Sequence, residues 1–182
     1  MPAMIVCPQP LAAEAGLEVL RRGGNAVDAA VTTAFCQGVL DPQMCGIGGG
    51  GMLLVHLSAT RATEVIEFHP RAGGQVRTEM WEPIFLKEAA DRYNYVVEGG
   101  VNDAGYQSVA VPGTVAGLAL APDRHGTISW PDAIQPAIAF ADNGCAVTAG
   151  PGASGPAARI PDPLPRAPRR PAPPAPSRPA TT

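Results

Sequence analysis

Between Ala26 and Leu40 lies a helix-length segment that is apolar on nearly every side. Val27, Ala30, Val31, Ala34, Phe35 and Val39 leave Thr32, Thr33 and Gln37 as its polar interruptions. A helix of this kind needs cover on more than one face, so the chain has to fold around it. Both of its ends are marked. Asn25 is a good N-cap, and Asp28 at N3 makes a variant of the capping box that also suits the positive helix end. Asp41-Pro42 stops it.

The flanking text supplies the cover. Met4 to Cys7 is a short apolar run that reads as a strand, ended by Pro8 and Pro10. From Leu11 to Arg22, Glu14, Glu18, Arg21 and Arg22 occupy one helical face, and Ala13, Gly16, Leu17 and Leu20 the other. Gly23-Gly24 is its stop signal. Met52 to Leu57 predicts a buried strand, and Thr63 to Phe68 its hairpin partner. Gln75 to Asn94 is more polar and carries Trp81, Phe85 and Tyr93; mixed loop and helix are expected there. Val109 to Val111 reads as a short strand. Thr114 to Ala121 and Pro131 to Asp142 read as helices, the second stopped by Asn143-Gly144. The expected class is α+β.

The cover is limited by length. Of the 34 residues from Ala149 to Thr182, 27 are Pro, Ala, Arg or Gly. Such a segment cannot bury a core, so two regions are expected: a folded body, 1–148, and a disordered Pro-rich tail, 149–182. The tail carries a net charge of +4 and the body −7. An acidic body argues against a nucleic-acid surface. No apolar run reaches the roughly 18–20 residues of a membrane span. Met1 to Pro10 has neither a basic start nor a long apolar stretch, so no cleaved signal is expected and the cytoplasm is the expected compartment. Cys7, Cys36, Cys45 and Cys145 show no Cys-x2-Cys spacing; buried thiols are expected, with no metal and no cofactor.

Gly46-Ile47-Gly48-Gly49-Gly50-Gly51 matches the dinucleotide fingerprint Gly-x-Gly-x-x-Gly. That fingerprint works only with a strand before it and a helix after it, so that a helix N-terminus meets the pyrophosphate. Here the order is reversed. The glycines are expected instead to permit close backbone approach and unusual φ at the mouth of a strand.

Four ordered blocks carry a family resemblance. They are Pro10-Leu11-Ala12 through Gly23-Gly24-Asn25-Ala26-Val27-Asp28-Ala29-Ala30; Gly46 to Gly50 before an apolar strand; Ser108-Val109-Ala110-Val111-Pro112-Gly113 with Val115-Ala116-Gly117; and Trp130 with Ile134-Gln135-Pro136-Ala137-Ile138. Together they resemble the opening of the γ-glutamyltransferase family, which includes glutathione hydrolases and related acylases. The resemblance implies part of an N-terminal nucleophile hydrolase fold, an α-β-β-α sandwich. It also implies a precursor that cuts itself into a large and a small subunit. A Thr freed at the start of the small subunit then attacks a γ-glutamyl amide such as glutathione and passes the acyl group to water or an amino acid. The family includes exported members, so a periplasmic or secreted location stays open.

The resemblance also points to a substrate clamp. Family members carry an Arg, in an Arg-Glu-x-Ala-Pro stretch, that grips the α-carboxylate of the glutamyl group; a guanidinium fork suits that task. Here the stretch is Glu67-Phe68-His69-Pro70-Arg71-Ala72. Aligned on Ala72, His69 replaces that Arg, and Arg71 follows two positions later. Arg71 and His69 are the candidate substrate-binding residues. The alternative makes Arg71 a surface residue at a hairpin end and His69 a turn residue. His56 is expected to be a satisfied core or edge residue, and His125 a solvated loop residue. The Thr32 and Thr33 hydroxyls are expected to bond back to their helix.

No catalytic residue is assigned. The Thr-Thr-His type stretch of the small subunit is absent, and the chain is expected to cover the first quarter to third of a family precursor and to be inactive alone. With facing strands missing, marginal stability and exposed apolar surface are expected. The tail is expected to reflect a shifted reading frame of a GC-rich gene. Three functions remain: a fragment of a γ-glutamyltransferase or glutathione hydrolase, a fragment of a sister acylase with another acyl group, or a non-catalytic module whose Arg170-Pro171-Ala172-Pro173-Pro174-Ala175-Pro176 arm docks a partner.

Overall fold

A computed structural model of the protein describes residues 3–145, which lie in one compact unit, Met1–Ala146. The Pro-rich segment and its docking motif lie outside the described residues. The order of elements is α1 (Pro10–Arg21), α2 (Ala26–Leu40), β1 (Met52–Leu57), β2 (Ala62–Glu67), β3 (Phe85–Glu88), β4 (Tyr95–Val97), α3 (Thr114–His125) and α4 (Trp130–Asn143). The class is α+β, as expected.

Local signals set the helix ends. Pro10 opens α1 at its first turn. Gly23, at φ +94°, closes it: the Gly24 N–H donates to Val19 O and the Gly23 N–H to Leu20 O, the paired bonds of a left-handed C-terminal cap. In α2 the capping box forms in full. The Asn25 side chain accepts from the Val27 and Asp28 N–H groups, and the Asp28 carboxylate accepts from the Asn25 N–H at 2.9 Å.

Helix α2 is the hub, packed by α1, α3 and α4. Its buried residues are Asp28, Ala29, Val31, Thr32, Thr33 and Cys36, whereas Ala30 is exposed. The α1 face buried against it is Ala12, Gly16 and Val19; of the expected stripe Gly16 is buried, while Ala13, Leu17 and Leu20 are half-buried. Gly16 is the point of closest approach. A Cβ there would collide with Thr33 Oγ1 and lie 2.8 Å from Ile5 Cδ1. One core joins Val31, Ile66, Leu118, Ala121 and Ala133, with Leu53 and Phe68 against it; a second joins Ala12, Cys36 and Ala137.

Strands β1 and β2 form an antiparallel hairpin in register Met52↔Glu67 to Leu57↔Ala62. Only its inner face is covered, by α2 and α3. Met52, Leu54 and Val65 on the outer face are 61%, 69% and 55% exposed, so β1 is not the buried strand expected. The apolar exposure expected of the chain is found here. Met4 to Cys7 is extended but has no strand partner among the described residues. Its alternation survives: Met4 and Val6 are exposed while Ile5 and Cys7 point inward. The Gln75–Asn94 stretch holds β3 and a 3-10 turn (Glu82–Ile84), not an α-helix; β3 pairs with β4 across a bulge. Val109 to Val111 reduces to one bridge, Arg71↔Val111.

Candidate functional site

The glycine run lies between α2 and β1, the order that rules out a pyrophosphate cradle. Among the described residues none of Gly46 to Gly51 has a left-handed φ. The expected unusual φ is thus absent, although the chain turns at Ile47 and Gly48. The close approach is present. A Cβ on Gly50 would lie 2.6 Å from Phe68 O and 2.7 Å from Pro70 N, and one on Gly51 would lie 3.0 Å from Phe68 Cε2. The backbone pairing of the hairpin continues through this point, with the Phe68 N–H donating to Gly51 O at 2.9 Å.

The stretch Phe68 to Arg71 is held from its other side by the segment leading into α3. The Arg71 N–H donates to Val111 O at 3.0 Å, and the Val111 N–H donates back to Arg71 O at 2.8 Å. The Gly49 carbonyl accepts from the Gly113 and Thr114 N–H groups at 2.9 and 3.2 Å, which satisfies donors at the start of α3. The result is an open groove of about 440 Å³ whose lining includes Glu67, His69, Arg71, Val111, Gly113 and Leu120.

Both predicted site residues border this groove. His69 and Arg71 are exposed, and neither side chain makes a hydrogen bond or ion pair among the described residues. The Arg71 backbone is fixed through its N–H and C=O, while the charged or chargeable ends of both side chains are free among the described residues. An unpaired guanidinium beside an apolar wall can take a carboxylate bidentately.

The other histidines fall elsewhere. His56 is an exposed strand residue with Nδ1 3.0 Å from Thr63 Oγ1, the edge position expected. His125 corrects its expectation. It closes α3 instead of lying in a loop, is 13% exposed at its side chain, and places Nε2 3.1 Å from Glu64 Oε2. Sequence reasoning missed that pair because its members are 61 positions apart. Thr32 and Thr33 also correct theirs: neither buried hydroxyl has a hydrogen-bond partner among the described residues. The four cysteines are free, but only Cys36 is buried; Cys7 and Cys45 are half-buried and Cys145 is exposed. Burial and the neighbouring Cys7 push the Cys36 thiol up to about 11.

Comparison with known proteins defines first a class and then a family. The γ-glutamyltranspeptidase from Helicobacter pylori superposes with a TM-score of 0.69 at 33% identity, over 80% of this chain and 39% of that one. The fold is therefore part of an N-terminal nucleophile hydrolase. The Gamma-glutamyltranspeptidase family model matches residues 12–153, and the chain belongs to that family. It is 39% identical over 143 residues to the glutathione hydrolase proenzyme of Bacillus subtilis strain 168, covering 78% of this chain and 23% of that protein. It is 38% identical over 150 residues to the acylase ACY 1 proenzyme of Pseudomonas sp. strain SE83, covering 80% and 25%. The chain thus spans about a quarter or less of the curated relatives it matches.

Proposed function

We propose that this chain supplies the acyl-binding wall of an enzyme that cleaves γ-glutamyl amides, with Arg71 as the carboxylate clamp and His69 beside it. One observation carries the reading: Arg71 is pinned through its backbone to Val111 at the groove while its side chain has no partner among the described residues. In the reaction, a Thr hydroxyl from the remainder of the longer protein attacks the γ-carbonyl, the amine leaves, and water or an amino acid takes the acyl group. On this reading the chain alone has no turnover.

The purified 182-residue chain should release no 4-nitroaniline from γ-glutamyl-4-nitroanilide; measurable turnover defeats the reading. The clamp is tested by replacing the matching segment of the Bacillus subtilis relative with this one. The chimera should cleave the same substrate, and Arg71→Ala should raise KM roughly 10–100-fold, the loss of about 1.5–3 kcal/mol for a charged hydrogen bond. An unchanged KM removes Arg71 from the site.

A second reading has its own support. His69 stands where the family stretch carries Arg, and an acylase is among the relatives. A sister acylase would take an acyl group with a different polar end. The same chimera, offered a glutaryl amide, would then cleave it faster than the γ-glutamyl amide.

A further inference from the structure

We infer that Phe68 is a positioning residue, seated in a socket of glycines, that sets where His69 and Arg71 leave the hairpin. The inference rests on the reading that this groove receives the acyl group. Three glycines from two parts of the chain make the socket, Gly51 just before β1 and Gly113 and Gly117 at the start of α3. A Cβ on Gly117 would overlap Phe68 Cγ and Cδ1 and stand 2.5 Å from Phe68 Cβ. One on Gly113 would overlap Phe68 O and stand 2.8 Å from its carbonyl carbon, and one on Gly51 would meet the far ring edge at 3.0 Å. The ring therefore lies directly on α3, with no methyl between, and its inner side packs on the core of Val31, Ile66 and Leu118.

This seat governs where the two side chains start. Neither His69 nor Arg71 has a side-chain partner among the described residues, so the backbone alone sets where each leaves the ledge. That backbone has two fixed ends. At one, Phe68 pairs with Gly51; at the other, Arg71 pairs with Val111. Only His69 and Pro70 lie between them, and Pro70 has its φ fixed and no N–H to give. Pro70 also abuts Gly50 so closely that a Cβ there would collide with its Cδ. Displacing the ring by the width of a methyl pushes the whole ledge outward, because the short span has no slack to absorb the shift.

The test uses the full 182-residue chain and reads amide hydrogen exchange together with glutathione titration. Gly117→Ala should raise exchange at the Arg71 and Val111 amides roughly tenfold or more, while amides within α1 keep their wild-type rates. A general weakening of the fold would raise exchange in α1 too. Unchanged exchange at Arg71 and Val111 in the single variant, or an equal rise in α1, overturns the inference. Should Gly117→Ala not fold, Phe68→Leu alone, which keeps an apolar side chain but loses the flat ring, must show the same selective rise; protection equal to wild type counts against it. Glutathione is the separate arm. In the wild-type chain it should shift the Arg71 Nε resonance. Absence of that shift beside a selective exchange change refutes the acyl-site reading while leaving the positioning of the ledge established.

Discussion

The carboxylate of Asp28 accepts hydrogen bonds from both the N–H and the hydroxyl of Thr127, at 3.0 and 2.6 Å, across 99 positions of sequence. The same carboxylate accepts from the Asn25 N–H, and the Asn25 side-chain amide donates to His125 O at 2.5 Å. The N-terminus of α2 is thereby fastened to the connection between α3 and α4. Asp28 is fully buried. Gly126 allows the approach, since a Cβ there would lie 2.6 Å from Asp28 Oδ1.

Removing that carboxylate should be costly. Asp28→Ala leaves the Thr127 and Asn25 N–H groups without an acceptor and should cost about 3 kcal/mol or more by urea unfolding. Asp28→Asn keeps the volume but turns an amide toward donors, and should cost about 2 kcal/mol. The pH dependence has a definite sign. Burial raises the Asp28 pKa, but the hydrogen bonds from Thr127, Asn25 and Ile128 outweigh it, so the folded value lies below the ordinary 3.8. Its contribution is therefore complete above the unfolded value and is lost as pH falls through the folded one. Acid titration should show a shallower loss of stability in Asp28→Asn than in the wild type.

Thr32 offers the opposite outcome. Its hydroxyl is fully buried and has no hydrogen-bond partner among the described residues, so folding desolvates it without return. Thr32→Val keeps the shape and removes the polar group. The variant should be more stable by about 1 kcal/mol, seen as a higher urea midpoint at unchanged m. A loss of stability means that the hydroxyl has a partner in solution.

The thiols should separate by reactivity. With its pKa at about 11, Cys36 presents roughly one thiolate in a thousand at pH 8. Cys145 is exposed, and iodoacetamide mapped by peptide mass should mark it first and leave Cys36 unmodified until the chain unfolds. A folded value above the ordinary 9.0 gives stability that is full below about pH 9 and lost as pH rises toward 11. Cys36→Ala should flatten that alkaline decline.

Capping and stop signals were legible because they are local. Asn25 and Asp28 are three positions apart, and Pro10 and Gly23 act on their own backbone. The role of the glycine run in close approach was legible too, since its order relative to helix and strand excluded the alternative. What the glycines approach was not legible. Phe68 and Pro70 reach Gly50 and Gly51 through hairpin pairing, and Gly117 meets Phe68 only once α3 lies beneath β2. The β3–β4 hairpin escaped notice for another reason. All four β3 residues are exposed, so no inside–outside alternation marks the strand. The family blocks led to His69 and Arg71 as candidates, but their freedom from partners depends on how two loops meet.

The outer face of the β1–β2 hairpin gives the last prediction. Met52, Leu54 and Val65 are more than half exposed, next to one another across the register pair Leu54↔Val65. An apolar cluster on a two-stranded sheet that is covered on one side contributes little to the stability of the chain itself. Leu54→Lys should therefore change urea stability by no more than about 0.5 kcal/mol. It should also reduce binding of an apolar dye and concentration-dependent aggregation, because the exposed patch is broken by a charge. Val55→Lys is the control. Val55 is buried on the inner face, and a lysine there should prevent folding or cost several kcal/mol. Equal damage from the two substitutions would mean that the outer face is covered in solution.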